Sequence, residues 1–399
     1  MSNAKEKLWS KDFVIMSIIN FVILVIFYLL MVTIASFAVK EYHASTSQAG
    51  LVTGIYIIGT LIGRLATGRV IDQFGRKKVL IIGLVLFVLT MSLYFINAGI
   101  TVLLLCRLVH GISVGIASTA TGTIVAQILP QSRKGEGIGY YSMSATLGTA
   151  IGPFIGILMS QHTSYSMIFS LCMLLGIICL AISFMAKVPP MPEVPESQTV
   201  KKGFSISQYL EPKAVPIAIV TILIAFGYAG VLSFINFFAK ERDLVAASSF
   251  FFFVYAIAIL VTRPFTGKLM DTKGANFVMY PCFVLFALGL LLLSTSHSSL
   301  VLLLSGAMMG AGYGNLSSTA QAIAVKLTPS HRMGLATSTY FIALDGGLGV
   351  GPYLLGYIIP VLRYGKLYVS LGIFIFITIA IYFMLHGRKD HLILEGKAV

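Results

Sequence analysis

The sequence repeats itself at a constant offset of 199 residues. The matched pairs, in chain order, are Tyr56 and Tyr255, Arg64 and Arg263, Gly68 and Gly267, Asp72 and Asp271, Gly75 and Gly274, Gly111 and Gly310, Gly115 and Gly314, Pro130 and Pro329, Arg133 and Arg332, Gly135 and Gly334, Gly148 and Gly347, Gly152 and Gly351, and Pro153 and Pro352. Because the register holds over about a hundred residues, we predict two structurally equivalent halves.

The composition places these halves in a membrane. Apolar residues make up 57% of the chain and charged residues only 11%, whereas soluble domains carry about 25% charged residues. Apolar runs long enough to cross the ~30 Å hydrocarbon core recur from end to end. They predict twelve transmembrane helices, at 13–39, 46–68, 77–97, 100–128, 136–160, 165–186, 214–239, 245–267, 275–296, 299–327, 333–359 and 364–386. The expected fold is an all-α integral membrane protein of two pseudo-symmetric six-helix halves. Such halves are typical of transporters.

The proline-rich segment 187–213 divides these halves. Proline keeps a linker extended and disfavours a folded domain. We therefore predict an N-terminal half at 1–186, a cytoplasmic linker at 187–213 and a C-terminal half at 214–399.

The net charge of +14 is distributed as a topology signal. Of the 28 Lys and Arg residues, five lie in loops on one side of the predicted membrane and three lie inside spans. The rest lie at both termini and in the loops of the other side. The positive-inside rule then predicts a multi-pass protein of the cell membrane with both termini in the cytoplasm. The basic loops are interpreted as bilayer contacts, and no nucleic-acid partner is expected.

Sequence motifs give no indication of an enzyme. The four cysteines lie inside predicted spans without metal-ligand spacing. The chain lacks a G-x-x-x-x-G-K-[ST] phosphate loop, so transport driven by ATP is not expected. We expect no cofactor and no metal, with a proton gradient as the energy source.

The segment 68–78 has the form G-x-x-x-D-x-x-G-R-K-K. It resembles the signature between helices 2 and 3 of the major facilitator superfamily, where the segment is a cytoplasmic latch that shapes the conformational switch. The resemblance assigns this role to Gly68, Asp72, Gly75 and Arg76, and in the second copy to Gly267 and Asp271. The second copy has Lys273 and Asn276 where the basic run stood.

Two further stretches are similar to the twelve-span drug:proton antiporter branch of that superfamily. In helix 5, Gly148, Gly152, Pro153 and Gly156 resemble its antiporter motif, and glycines at this spacing let helices approach closely. In helix 4, Arg107 precedes His110 where the branch usually has glutamine. Helix 1 has no acidic residue between positions 13 and 39, where many members carry a carboxylate for proton coupling.

Charged residues inside spans are functional candidates because an unpaired charge there is costly. Asp345, near the middle of helix 11, is the carboxylate placed deepest in a predicted span, and we predict that Asp345, Arg107 and His110 carry proton coupling. The alternative for Asp345 is a permanent ion pair with an arginine. Glu136 is interpreted as a helix-dipole partner at the start of helix 5. The candidates for cavity or substrate contact are Arg64, Arg263, Tyr56, Tyr140, Tyr228, Asn236, Tyr313, Asn315 and Tyr340.

The leading functional hypothesis is a monomeric secondary transporter that exports small organic or amphipathic compounds in exchange for protons by alternating access. A metabolite or sugar symporter, or a lipid flippase of the same fold, is the alternative. A non-transporting membrane receptor is disfavoured because the short loops hold no signalling domain.

Overall fold

The computed structural model describes residues 7–44, 46–96, 98–190 and 208–390, and the regular structure in these ranges is helical. The first nine long helices are α1 (Lys11–Tyr42), α2 (Thr46–Phe74), α3 (Arg76–Leu93), α4 (Ile100–Ile128), α5 (Lys134–His162), α6 (Tyr165–Phe184), α7 (Val215–Glu241), α8 (Val245–Lys273) and α9 (Asn276–Ser294).

The predicted tenth span contains a local change of helix type. An α-helix at Ser299–Met309 passes through one π-helical turn, Gly310–Gly314, into a second α-helix at Asn315–Lys326. We call these two α-helices α10a and α10b. Single π turns inside α-helices are frequent at functional sites. The three glycines of Gly310–Gly314 explain how the chain fits here. A Cβ built at Gly312 would lie 2.5 Å from the Phe286 backbone nitrogen on α9, so the turn packs directly on that helix.

The last two predicted spans form one hydrogen-bonded run, Met333–Leu385, with non-helical backbone at Arg363 (φ 58°, ψ 167°). We call residues 333–362 α11 and residues 364–385 α12. A non-glycine residue with this φ is strained, so Arg363 marks the real break between the two spans.

The prediction of an all-α membrane protein is confirmed. Within the described ranges, eleven helical segments are long and apolar enough to cross a membrane. The remaining long helix, α3, has 18 residues and begins with Arg76, Lys77 and Lys78. These three basic residues, and not a lack of apolar residues, set α3 apart from the eleven segments.

The chain forms two compact units. The first comprises Met1–Leu129, Ser144–Glu211 and Pro329–Ser338, and the second comprises Pro130–Met143, Pro212–Thr328 and Thr339–Val399. The beginning of α5 therefore packs with α7–α10b, and the beginning of α11 packs with α1–α4.

The repeat appears as equivalent helix packing in each unit. In the first, a Cβ built at Gly111 on α4 would lie 2.1 Å from the Tyr56 carbonyl oxygen on α2. In the second, a Cβ at Gly310 would lie 2.3 Å from the Tyr255 carbonyl oxygen on α8. Only glycine permits helices to approach this closely, which explains why both pairs recur at the same offset.

Candidate functional site: two carboxylate latches and a buried arginine cluster

The first latch joins the end of α2 to the beginning of α11. Asp72 accepts a hydrogen bond from the backbone N–H of Gly334 over 3.0 Å. Arg76 donates to the same carboxylate from Nε over 3.0 Å and Nη2 over 2.7 Å. Arg76 Nη2 also donates to the Ser330 carbonyl oxygen over 2.5 Å. A carboxylate at a helix N-terminus is favoured by the helix dipole, and the arginine makes the contact stronger still.

The second latch is the symmetric counterpart, joining the end of α8 to the beginning of α5. Asp271 accepts from the backbone N–H groups of Gly135 over 2.9 Å and Glu136 over 2.8 Å. The offset of 199 residues carries Asp72 onto Asp271 and Gly135 onto Gly334. Asp271 also pairs with Lys326 of α10b over 2.5 Å. In the first latch the cation is Arg76, four positions after the carboxylate, whereas the residue four positions after Asp271 is Ala275.

The motif glycines have two physical roles. Gly75 and Gly274 both have positive φ, 94° and 91°, which side chains on L-residues disfavour. A Cβ at Gly68 would lie 2.6 Å from the side chain of Ser338, and one at Gly267 would lie 2.7 Å from the α5 backbone. The glycines thus let each latch carboxylate sit directly against a helix start.

The arginines that follow Pro130 and Pro329 have different partners. Arg133 pairs with Glu136 over 2.8 Å, which adds an ion pair to the dipole role predicted for Glu136. The position equivalent to Glu136 is Leu335, which has no charge. Arg332 instead pairs over 2.5 Å with Glu211, a residue of the predicted linker whose side chain is only 4% exposed.

Sequence reasoning missed this linker contact. The signal that could have found it is the break in the repeat, because Leu335 leaves Arg332 without the carboxylate that Arg133 has. The neighbouring Tyr209 is also docked: its hydroxyl accepts from Arg69 Nη1 over 2.5 Å, and the guanidinium lies 5.0 Å from the ring centre. The predicted linker therefore ends in an ordered contact with the first unit.

The glycine strip of α5 packs against the backbone of α1. A Cβ built at Gly152 would lie 2.7 Å from the Val25 carbonyl oxygen, and one at Gly156 would lie 2.8 Å from the Leu29 carbonyl oxygen. At Gly148 it would lie 2.9 Å from a side-chain atom of α1. The helix continues through Pro153. The close contact between α1 and α5 depends on the small residues that the antiporter motif specifies.

Arg107 lies in the interior of the first unit and is fully buried. Its Nε donates to the Val52 carbonyl oxygen over 3.1 Å, and its guanidinium lies 4.4 Å from the centre of the Tyr56 ring. Phe27 stacks on the same Tyr56 ring at 5.0 Å between ring centres. Tyr56 is expected from the sequence to contact a cavity. In this structure it is buried, and its ring makes a cation–π contact with Arg107.

His110 belongs to the same cluster. It is fully buried, and its Nδ1 is 3.1 Å from the Tyr94 hydroxyl oxygen. The rings of Phe87, Tyr56 and Tyr94 surround it at 4.9, 5.3 and 5.8 Å between ring centres. Three aromatic rings and one hydroxyl hold the imidazole in place beside Arg107.

Arg263 occupies a different environment in the second unit. Its Nη1 donates to the Gly314 carbonyl oxygen over 2.8 Å and to the Ser318 hydroxyl. Asn315 is the first residue after the π turn. Its Nδ2 donates to the Thr262 hydroxyl and its Oδ1 accepts from the Thr266 hydroxyl, each over 2.8 Å. These contacts tie α8 to α10b, and Arg263 and Asn315 are packing residues in this structure.

The remaining cavity candidates are mostly buried. Tyr228 stacks on Tyr313 at 4.1 Å and on Tyr255 at 5.4 Å, and all three are at least nine-tenths buried. The Tyr340 hydroxyl oxygen lies 2.7 Å from that of Ser317. Arg64 is buried, Tyr140 is half-buried and the side chain of Asn236 lies outside the described part.

Asp345 is half-buried on α11. It belongs to the second compact unit, whereas Arg107 and His110 belong to the first. The structure therefore brings Arg107 and His110 together. The joint role of these two residues with Asp345 in proton coupling stays a prediction.

Comparison with known proteins defines the class. The model of the Major Facilitator Superfamily matches residues 16–352 and 244–398. Two solved structures share the fold. FucP in its outward conformation gives a TM-score of 0.74 at 14% identity, covering 95% of this chain and 99% of that one. The human organic anion transporter MFSD10 gives a TM-score of 0.72 at 15% identity, covering 93% and 98%. The chain belongs to the major facilitator superfamily and is a transporter rather than an enzyme.

The curated relatives are distant. An uncharacterized transporter of this type from Methanocaldococcus jannaschii is 25% identical over 83% of this chain and 87% of its own length. Multidrug resistance protein 1 from Bacillus subtilis is 26% identical over 58% of each chain. Quinolone resistance protein NorA from Staphylococcus aureus is 27% identical over 47% of this chain and 48% of its own. The alignment thus spans only about half of the two drug-resistance proteins.

Proposed function

We propose that the protein is a proton-coupled exporter of small organic or amphipathic compounds that works by alternating access. The observation that carries the proposal is the α5 glycine strip, whose residues contact the α1 backbone closely. The partial similarity to two drug-resistance proteins supports the same direction of transport.

The two latches supply the element that must change during alternating access. Each carboxylate holds the N-terminus of a helix, and each contact involves a charged group. Hydrogen bonds to charged groups contribute roughly 1.5–3 kcal/mol. Contacts of this strength can be broken and remade by a ligand that binds one conformation better than another.

Proton coupling is assigned to Asp345, Arg107 and His110. An ionised carboxylate inside a span is costly alone, tolerable when protonated and stable beside a cation. Asp345 therefore has two acceptable states, and a group with two such states can link proton binding to the conformational change.

The test is transport into everted vesicles with an acidic interior, using ethidium and a quinolone as probes. An antiporter accumulates the probe because protons leave as the probe enters. A proton symporter instead carries the probe outward with the protons. Accumulation that collapses with a protonophore is the expected result. Absence of accumulation of either probe, with the protein folded and correctly inserted, would refute export of this class of compound.

A further inference from the structure

One edge of the Arg107 guanidinium makes no hydrogen bond in the part of the chain that the structure describes. Its Nε is bonded to the Val52 carbonyl oxygen, but neither Nη1 nor Nη2 has a hydrogen-bond partner. The residue has no exposed surface. A guanidinium stays charged under all ordinary conditions, so this is a buried cation with two unused donors.

None of the ion pairs in the described ranges includes Arg107. Two carboxylates of the first unit have other partners. Asp72 pairs with Arg76, and Asp12, in the first turn of α1, accepts from the Lys187 backbone N–H. The region of α1 between positions 13 and 39 contains no carboxylate. A buried charge needs a partner or hydration, and the cation–π contact with Tyr56 meets only part of that need.

The shape of the unused edge selects the partner. The Nη1 and Nη2 groups form a planar fork that matches the two oxygens of a carboxylate. The Tyr94 hydroxyl lies next to the guanidinium and 3.1 Å from His110 Nδ1, so it joins the two groups at this edge. His110 Nε2 is a further buried nitrogen without a hydrogen bond. The surrounding rings of Tyr56, Phe87 and Tyr94 would accommodate an apolar body attached to the carboxylate.

The repeat shows that this cluster is specific to one unit. The positions equivalent to Tyr94, Arg107 and His110 in the second copy are Leu293, Gly306 and Met309. In the second unit a glycine therefore occupies the position of Arg107, so helix packing at this position does not by itself require a cation.

We propose that Arg107, with Tyr94 and His110 beside it, binds the carboxylate of an anionic aromatic substrate. The inference rests on the proposed export function and names a substrate class for it. Because Arg107 is fully covered in this structure, the carboxylate enters in another conformation, and binding shifts the population toward that conformation.

The test is a binding measurement on the purified full-length protein, without any gradient. Thermal unfolding is followed with 2-naphthoate, with its methyl ester and with sodium chloride at equal ionic strength. A ligand that binds only the folded state raises the unfolding temperature in a saturable way. We expect a rise with 2-naphthoate and none with the ester, which has the same rings but no charge.

Variants locate the site. Arg107→Gln should weaken the apparent affinity for 2-naphthoate at least tenfold, and Arg107→Lys should weaken it less because it keeps the charge but loses the fork. Lys240→Gln, which removes an exposed cation outside the latches and the Arg107 cluster, is the matched control and should bind like wild type.

Three outcomes overturn the proposal. One is equal stabilisation of the wild type by 2-naphthoate and its ester, which needs no variant to fold. Another is undiminished binding in both Arg107 variants. The third is an Arg107-dependent, saturable effect of chloride that matches that of 2-naphthoate, which would make this an inorganic-anion site. Proton-driven transport is measured separately in vesicles, so export can stand while this substrate assignment fails.

Discussion

The carboxylate of Asp72 accepts a hydrogen bond from the Gly334 backbone N–H over 3.0 Å, although the two residues are 262 positions apart. The same relationship, displaced by one repeat, joins Asp271 to Gly135 over 2.9 Å. The motif of the first half therefore holds the beginning of α11, a helix of the second half. The motif of the second half holds the beginning of α5, a helix of the first half. This exchange makes the two motifs a matched pair, and it can be tested one carboxylate at a time.

Asp72→Asn should loosen the beginning of α11. The amide keeps an acceptor but loses the charge. A hydrogen bond to a charged group contributes about 1.5–3 kcal/mol, so its loss changes a conformational equilibrium roughly 10–150-fold. A Ser338→Cys reporter, buried against Gly68 in this structure, should then react faster with a maleimide in detergent. Asp12→Asn is the control, and an unchanged labelling rate in Asp72→Asn would rule out the latch.

Glu211→Gln should weaken the attachment of the linker to Arg332. Because Arg332 is partly exposed, we expect a modest loss of about 1 kcal/mol and a change in transport rate of about fivefold or less. Exchanging the charges, with Glu211→Arg and Arg332→Glu together, should recover part of the loss in a double-mutant cycle. Additive effects of the two single changes would show that the pair does not interact.

Gly152→Leu should impair transport while the protein still folds. The added side chain would meet the α1 backbone, since even a Cβ would lie 2.7 Å from the Val25 carbonyl oxygen. Gly54→Leu is the matched control on α2, because a Cβ there meets nothing within 4 Å. Vesicle transport and unfolding temperature are measured for both. Wild-type rates and coupling in a folded Gly152→Leu protein would contradict the role assigned to the strip.

Asp345→Asn should abolish accumulation driven by a pH gradient and leave exchange of internal for external substrate measurable. The substitution keeps size and hydrogen bonding but removes the change of charge on which coupling depends. Arg107→Lys should be milder than Arg107→Ala because the cation remains. If Asp345→Asn accumulates the probe as wild type does, the coupling group lies elsewhere, and His110 is the next candidate.

Both the linker and the C-terminal segment should be inaccessible from outside intact cells. Cysteines introduced at Ser197 and Glu395 should not react with an impermeant maleimide, whereas one at Thr163, between α5 and α6, should react. The four native cysteines are buried and give little background. Labelling at either of the first two positions in intact cells would reverse the predicted topology.

The sequence by itself determined the helices and their repetition. Hydrophobic runs report a local property, the length of chain that hydrocarbon can surround, so the predicted spans match the helices closely. The repeat identified both latch carboxylates, the glycines of the α2–α4 contact and those of the contact between α8 and the π turn, without identifying their partners. Motif spacing also identified the close-packing strip of Gly148, Gly152 and Gly156.

Only the tertiary structure decided which groups these residues meet. Asp72 meets Gly334, Asp271 meets Gly135 and Arg332 meets Glu211, each more than 100 positions away, and no local periodicity encodes such contacts. The same holds for Arg107, whose buried guanidinium meets Val52 and Tyr56 of α2 and the Tyr94 hydroxyl after α3. Spacing along a helix fixes the face on which a residue lies, but the packing of other helices fixes whether its charge is satisfied.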